Sequence, residues 1–187
     1  MSSIFETVKL SKSDDPFIIP KNILDLNSFE FDGLEGKTNL REMLDSSYTD
    51  AFVILKDSNI IFEEYQDEMK DNDLHLMNSV SKSFVGMLIG ILENEAKLNT
   101  KDKLVQYIPE LQNSAFQETT IQHALDMTAA VRFTEDYNDS SSEFWHEAAV
   151  VGWRPDLKNE VSPKTLLECM ASLKETSPTE FEIFDYR

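Results

Sequence analysis

The chain has a single cysteine, five glycines, and only 17 lysines and arginines against 35 aspartates and glutamates in its 187 residues. Each scarcity excludes something. A lone thiol cannot close an internal disulfide, and Cys169 falls among apolar helix positions, where it reads as a small core residue rather than a nucleophile. A formal charge of −18 repels phosphate backbones and anionic lipid, which argues against nucleic acid and against membrane partners. The acidity itself fits solubility, a salt-rich environment or a preference for cationic substrates, and sequence does not separate these. No apolar run is long enough to span a bilayer, and the first nine residues, from Met1 to Lys9, hold no apolar leader segment, so the expected location is cytoplasmic. No glycine loop for phosphate is present, and no serine sits in a GxSxG elbow. His75, His123 and His146 belong to no ligand pair of the HExxH kind and read as surface or hydrogen-bonded side chains. Asp136, Asn138, Ser140 and Glu147 occupy four ligand positions of a calcium loop, but Ser141 stands where its turn glycine is required. Neither a metal nor an organic cofactor is expected.

The residues present are those of a folded protein: 41% are hydrophobic and 10% aromatic, enough for a core. From Met1 to about Leu40 the chain is acidic and irregular, with Pro16 and Pro20 opposing helix, and reads as an extended arm; Leu40 to Leu44 is a short helix candidate. Ala51 to Leu55, the polar Lys56-Asp57-Ser58-Asn59 and Ile60 to Tyr65 read as strand, turn and strand. The first of these strands is apolar on both faces, which predicts cover on both sides, and two strands alone are not stable. Lys97 to Lys103 is a polar loop, and Tyr107-Ile108-Pro109-Glu110 a turn. Thr119 and Gln122 have the spacing of a capping box for a helix carrying Ile121, Ala124, Leu125 and Met127. Ser162 and Pro163 open another, with Leu166, Leu167, Met170 and Leu173 on one face. Between them, from about Val131 to Glu160, lies an aperiodic stretch rich in aromatic and acidic residues, of the kind that is usually functional when it is not disordered.

The pattern that carries chemistry is Ser79-Val80-Ser81-Lys82. On a helix, residues three apart share a face, with Cβ atoms about 5 to 6 Å apart, so the Lys82 amine can fold back on the Ser79 hydroxyl. A serine at a helix start also meets unpaired backbone N–H groups and the positive end of the helix dipole, both of which favour an oxyanion. Phe84, Val85, Met87, Leu88, Ile89, Ile91 and Leu92 leave the following helix almost without a polar face, which predicts a buried helix. Burial would lower the Lys82 pKa and suit it to accept a proton. The alternative is a helix start capped by Ser79 or Ser81, with Lys82 snorkelling to water.

Further motifs stand around this one in order and in register: Thr49 to Leu55, Leu74 to Ser83, Tyr107 to Leu111, Leu125-Asp126-Met127, Glu135 to Asp139 and Gly152-Trp153. In these the chain resembles the 6-aminohexanoate-dimer hydrolases, the nylon-oligomer branch of the class C β-lactamase and DD-peptidase-like serine hydrolases, over about residues 49 to 187. The resemblance implies an α/β (α+β) β-lactamase/transpeptidase-like fold in which residues 1–48 are an N-terminal arm with a short helix and residues 49–187 a partial hydrolase domain. It implies Ser79 as the acylated nucleophile, Lys82 as its activator, Tyr186 of the Phe184-Asp185-Tyr186 element as second proton carrier, and Tyr137 as the loop tyrosine that bonds the substrate amide. It also implies that the strands completing the sheet, and with them the second oxyanion donor beside the Ser79 N–H, lie beyond this chain. Tyr186, one residue from the terminus, is then expected to fray out of reach of Ser79. The reading is a truncated serine hydrolase of small amides or esters whose exposed sheet edge permits self-association; the alternative is a catalytically inactive fragment that only binds.

Overall fold

The structure, a computed structural model, describes residues 7–154, 165–177 and 181–186. The chain divides into two compact units, residues 1–76 and 77–187.

In the first unit a hairpin of β1 (Glu30–Gly33) and β2 (Gly36–Asn39) leads into helix α1 (Leu40–Ser46). Gly36 lies at φ +119°, a conformation side chains resist, so the tight return of this hairpin depends on it. Asn39 caps α1, its side-chain oxygen accepting the Glu42 N–H at 2.9 Å. Strands β3 (Ala51–Lys56) and β4 (Asn59–Tyr65) form the expected antiparallel hairpin. Its turn residues Asp57 and Ser58 both have positive φ, 50° and 60°, the primed geometry that matches strand twist. Leu40 and Leu44 of α1 close on Phe62 of β4, with Leu26, Phe52 and Ile54 packed around them. The outer edge of β4 is taken by the arm: Asn22 and Leu24 donate to the Ile60 and Ile61 carbonyls, each at 2.8 Å, and the Pro20 carbonyl accepts the Ile60 N–H at 2.9 Å. Pro20, which has no N–H to offer a ladder, supplies only an acceptor. The strand β3 is covered on one face rather than two. Phe52 and Ile54 pack on the core, whereas Val53 and Leu55 are 41% and 55% exposed, because no described layer lies on their side.

The second unit opens with a 3₁₀ turn (Asn78–Val80) that runs directly into α2 (Ser81–Asn94). Two further 3₁₀ turns follow, Leu104–Gln106 just past the expected loop and Pro109–Leu111 overlapping the expected turn. Helices α3 (Ile121–Leu125), α4 (Glu143–Val150) and α5 (Leu166–Ser172) complete the described elements. The capping box at α3 is one residue later than its sequence spacing predicts: the Thr120 hydroxyl accepts the His123 N–H, and the His123 ring accepts the Thr120 N–H. The aperiodic stretch holds α4, too short to register as a period. The predicted start at Ser162 and Pro163 lies outside the described residues; α5 itself is capped by Thr165 with Glu168 in reciprocal position. The core of this unit is made by Leu111, Ile121, Val131, Phe144, Ala148 and the buried Cys169. Chain 130–132 pairs with 175–177, through Arg132 N–H to the Glu175 carbonyl at 2.9 Å and Ser177 N–H to the Ala130 carbonyl at 3.1 Å.

Helix α2 departs most from expectation. Its apolar sequence predicts burial, yet none of its 14 residues is buried, and Phe84, Val85, Met87 and Leu88 are more than half exposed. An all-round apolar helix needs neighbours on several sides, and the described elements do not provide them.

Candidate active site

The peptide preceding the 3₁₀ turn sets the site. Asn78 has φ +46°, a left-handed conformation that asparagine tolerates better than most residues and that is common where backbone strain serves a site. It turns the chain so that Ser79 stands one residue into the helical segment, and the Ser81 hydroxyl donates back to the Asn78 carbonyl. Lys82 then lies one turn beyond Ser79, and its Nζ donates to Ser79 Oγ at 3.0 Å.

The third member comes from the other end of the chain. Tyr186 donates its hydroxyl to Ser79 Oγ at 2.5 Å and accepts from Lys82 Nζ at 3.2 Å, while the same ammonium lies 5.1 Å from the centre of the tyrosine ring. Serine, lysine and tyrosine therefore close a triangle of hydrogen bonds. This corrects the expectation that Tyr186 frays away. The Asp185 N–H donates to the Met127 carbonyl at 2.9 Å and anchors the terminal segment to the loop after α3, one residue short of the hydroxyl that matters. The bonds to Ser79, first, and to Lys82, second, hold the Tyr186 phenol below its ordinary range, because both favour the phenolate.

Tyr137 lies on the loop before α4 and is packed edge-on against Phe144 and Trp145, at centroid separations of 4.7 and 6.5 Å. The loop is tied by Ser142, whose hydroxyl donates to the Thr134 carbonyl at 2.5 Å and accepts the Asp136 N–H at 3.1 Å. The Tyr137 hydroxyl donates to Glu135, which raises its pKa, and Tyr186 is close enough to add to that rise. Tyr137 keeps 60% of its surface exposed while its ring packs on Phe144 and Trp145.

Two residues that sequence reasoning passed over belong to this neighbourhood. Glu135 acts electrostatically on both Tyr186 and Glu147. Glu147, on α4, has its pKa raised by burial and then by Glu135, with Lys82 opposing the rise. By pattern Glu147 holds only a place in a defective calcium loop. On α4 it lies between the buried Phe144 and Ala148, a placement that sequence pattern alone does not report. Among the described residues no group of three or more His, Cys, Asp or Glu side chains is arranged to hold a metal ion, and no helix is long and apolar enough to cross a membrane.

Comparison with known proteins gives this arrangement a setting. The beta-lactamase family model matches residues 38–168. A 6-aminohexanoate-dimer hydrolase of Paenarthrobacter ureafaciens is 31% identical over 136 residues, covering 73% of this chain and 34% of that protein. A solved structure from Bacillus anthracis, named as a 6-aminohexanoate-dimer hydrolase, superposes with a TM-score of 0.77 at 26% identity, over 91% of this chain and 45% of that one. The mixed helix-and-strand architecture is therefore β-lactamase-like, and the chain spans about a third to under a half of the length of these relatives.

Proposed function

Because the chain belongs to the beta-lactamase family, we propose that it carries the nucleophile-bearing part of a serine hydrolase that cleaves small linear amides, and secondarily short esters, through an acyl-enzyme. The observation that carries the reading is the closed triangle of Ser79, Lys82 and Tyr186. In the forward step Ser79 Oγ attacks the substrate carbonyl carbon while its proton passes to Tyr186 or Lys82. Collapse of the tetrahedral adduct breaks the C–N bond, and Tyr186 returns the proton to the departing amine. Water then attacks the Ser79 ester, the same pair takes its proton, and Ser79 is regenerated with release of the acid. A phenol held below its ordinary range suits the first proton transfer, since a base works best with a pKa near the operating pH. The Ser79 N–H, at the start of the helical segment, is one donor to the oxyanion. On this reading Tyr137 offers its hydroxyl to the substrate amide once Glu135, which now accepts it, releases it. Oligomers of 6-aminohexanoate are the favoured substrates, after the names of the relatives.

The experiment is covalent labelling. A fluorophosphonate probe should add once to the chain, by intact mass, and not at all to Ser79→Ala. A second reading, a fragment that binds without turning over, is favoured by the exposure of α2. An unlabelled but folded wild-type chain would select it.

A further inference from the structure

We propose, independently of the hydrolase reading, that the free edge of β3 pairs with β3 of a second copy of this chain, antiparallel and two-fold symmetric about Val53. The register of the hairpin decides which groups are on offer. Ala51 lies opposite Tyr65, and one step outward the Gln66 N–H donates to the Asp50 carbonyl at 2.8 Å. Hydrogen-bonded and non-hydrogen-bonded positions alternate along an antiparallel pair, so Asp50, Phe52 and Ile54 turn their backbone groups to β4. Ala51, Val53 and Leu55 turn theirs to the opposite edge, where no described strand lies. The one irregularity of this ladder falls between Ile54 and Leu55, and its extra residue, Ile61, belongs to β4. Strand β3 itself is regular, with neither a bulge nor a proline to blunt its edge.

The strip is complementary to itself. With Val53 opposite the partner's Val53, Ala51 falls opposite the partner's Leu55, and each of these pairs exchanges both of its N–H···O bonds. On the face that is bare in the single chain, where Val53 and Leu55 are 41% and 55% exposed, the two valines meet and each leucine covers an alanine. At either end Lys56 faces the partner's Asp50, opposite charges that favour this register. The chain carries a net charge of −18, yet Ala51 to Lys56 contains no acid, so two copies meet along this strip without setting acid against acid. The pairing also closes. The outer edge of β4 already holds Asn22 and Leu24 of the arm, which leaves each copy one open edge in this sheet among the described residues. The product is a β4–β3–β3–β4 sheet with both margins covered, a symmetric dimer rather than a fibre, and it exceeds the two strands that are unstable alone. One strand pair is a small interface, so the dimer is weak, with a dissociation constant in the micromolar to millimolar range.

Sedimentation of the 187-residue chain in about 0.15 M salt, where repulsion between exposed charges is screened beyond about 8 Å, should show a monomer–dimer equilibrium that shifts with concentration, and no larger species. Cysteine reads the register. Val53→Cys should give a disulfide-linked dimer on oxidation, because the Cα atoms of a hydrogen-bonded antiparallel pair lie about 5.5 Å apart and disulfides span that distance. Leu55→Cys should not, since the two substituted positions lie about 13 Å apart along the strands. Nor should the wild type, whose Cys169 is buried. Val53→Pro takes the central N–H from each copy while leaving the bonds to β4, and should weaken the dimer by at least about tenfold. Val53→Lys, at an exposed side chain, sets like charges opposite each other and should weaken it as well, with circular dichroism unchanged. Leu34→Lys, the same change of charge in the exposed β1–β2 turn, should leave the dimer as it is. A chain that stays monomeric at millimolar concentration and unlinked in Val53→Cys would overturn the proposal and assign the edge to a strand of different sequence. Equal cross-linking in Leu55→Cys, a dimer unaffected by Val53→Lys, or equal weakening by Leu34→Lys would overturn it too.

Discussion

Two parts of the second unit are both rich in apolar residues and opposite in structure. The framework around α3 and α5 buries Leu111 completely and Val131 to 2% exposure, while α2 buries none of its residues. The framework reached burial because its pieces are short and answer one another: Val131 pairs with Thr176, and the Ala115 N–H reaches the Leu173 carbonyl at 2.8 Å. The helix α2 is longer and more uniformly apolar, and it lacks described neighbours to answer it. Apolar composition states a demand for partners; the fold in hand decides whether the demand is met. The site joins the two parts, since Ser79 and Lys82 belong to the exposed helix and Tyr186 is tethered to the framework.

The largest expected effect probes that join. Lys82→Met removes the donor to both Ser79 and Tyr186, and acylation by a fluorophosphonate should slow by about a hundred- to ten-thousandfold, the range of positioned acid–base groups. Stopped labelling time courses measure it. A rate within a few-fold of wild type would mean that the amine only snorkels and that the triangle has no chemical role.

Next in size is the packing contrast itself. Leu111→Ala in the framework should cost about 2 to 5 kcal/mol in urea unfolding, as fully buried leucines do. Leu88→Ala on α2, where the side chain is already 56% exposed, should fall within about 0.5 kcal/mol of wild type, as exposed sites do. Similar losses at the two positions would show that α2 is covered in solution, and the contrast would then disappear.

How far sequence anticipated this arrangement follows the range of the interactions. The β3–β4 hairpin was legible because Asp57 and Ser58 lie between two β-rich runs, all within 15 residues, and the Ser79–Lys82 contact because it spans a single helical turn. The β1–β2 hairpin went unread although Asp32-Gly33 and Gly36 mark its turn, since the strands Glu30–Gly33 and Gly36–Asn39 hold too few apolar residues to alternate. The capping box was placed one residue early because Thr119 and Thr120 are both competent caps, and the choice falls to Thr120 while the neighbouring Thr119 is completely buried. Tyr186 was misjudged for a different reason. Closeness to a terminus argues for fraying only where nothing anchors the backbone, and the bond from Asp185 to Met127 joins residues 58 apart in sequence. Glu147 was invisible as a site residue because its significance is desolvation, which pattern does not report.

A smaller effect tests the loop wall. Tyr137→Phe keeps the aromatic packing on Phe144 and Trp145 and removes one hydroxyl. If that hydroxyl bonds the substrate amide, hydrolysis of an amide should fall by up to about tenfold, the value of a single net hydrogen bond, while a matched ester lacking the N–H should change little. Equal losses on the two substrates would assign Tyr137 to packing alone.

The smallest signal is spectroscopic and reads the join between helix and framework without any turnover. Tyr186 is held below its ordinary range first by Ser79 and then by Lys82. Ser79→Ala and Lys82→Met should therefore each move one tyrosine transition upward in an ultraviolet pH titration, with the other phenols unmoved. The sign for stability follows from a depressed folded pKa: the contribution is present above the unfolded phenol value of about 10 and is lost as pH falls through the folded value. The unfolding temperatures of wild type and Ser79→Ala should thus converge toward neutral pH and separate only in alkali, with the wild type favoured there. Tyrosine titrations identical in wild type and both variants would mean that Tyr186 does not hold its place beside α2 in solution, and that helix and framework are joined by nothing that chemistry can use.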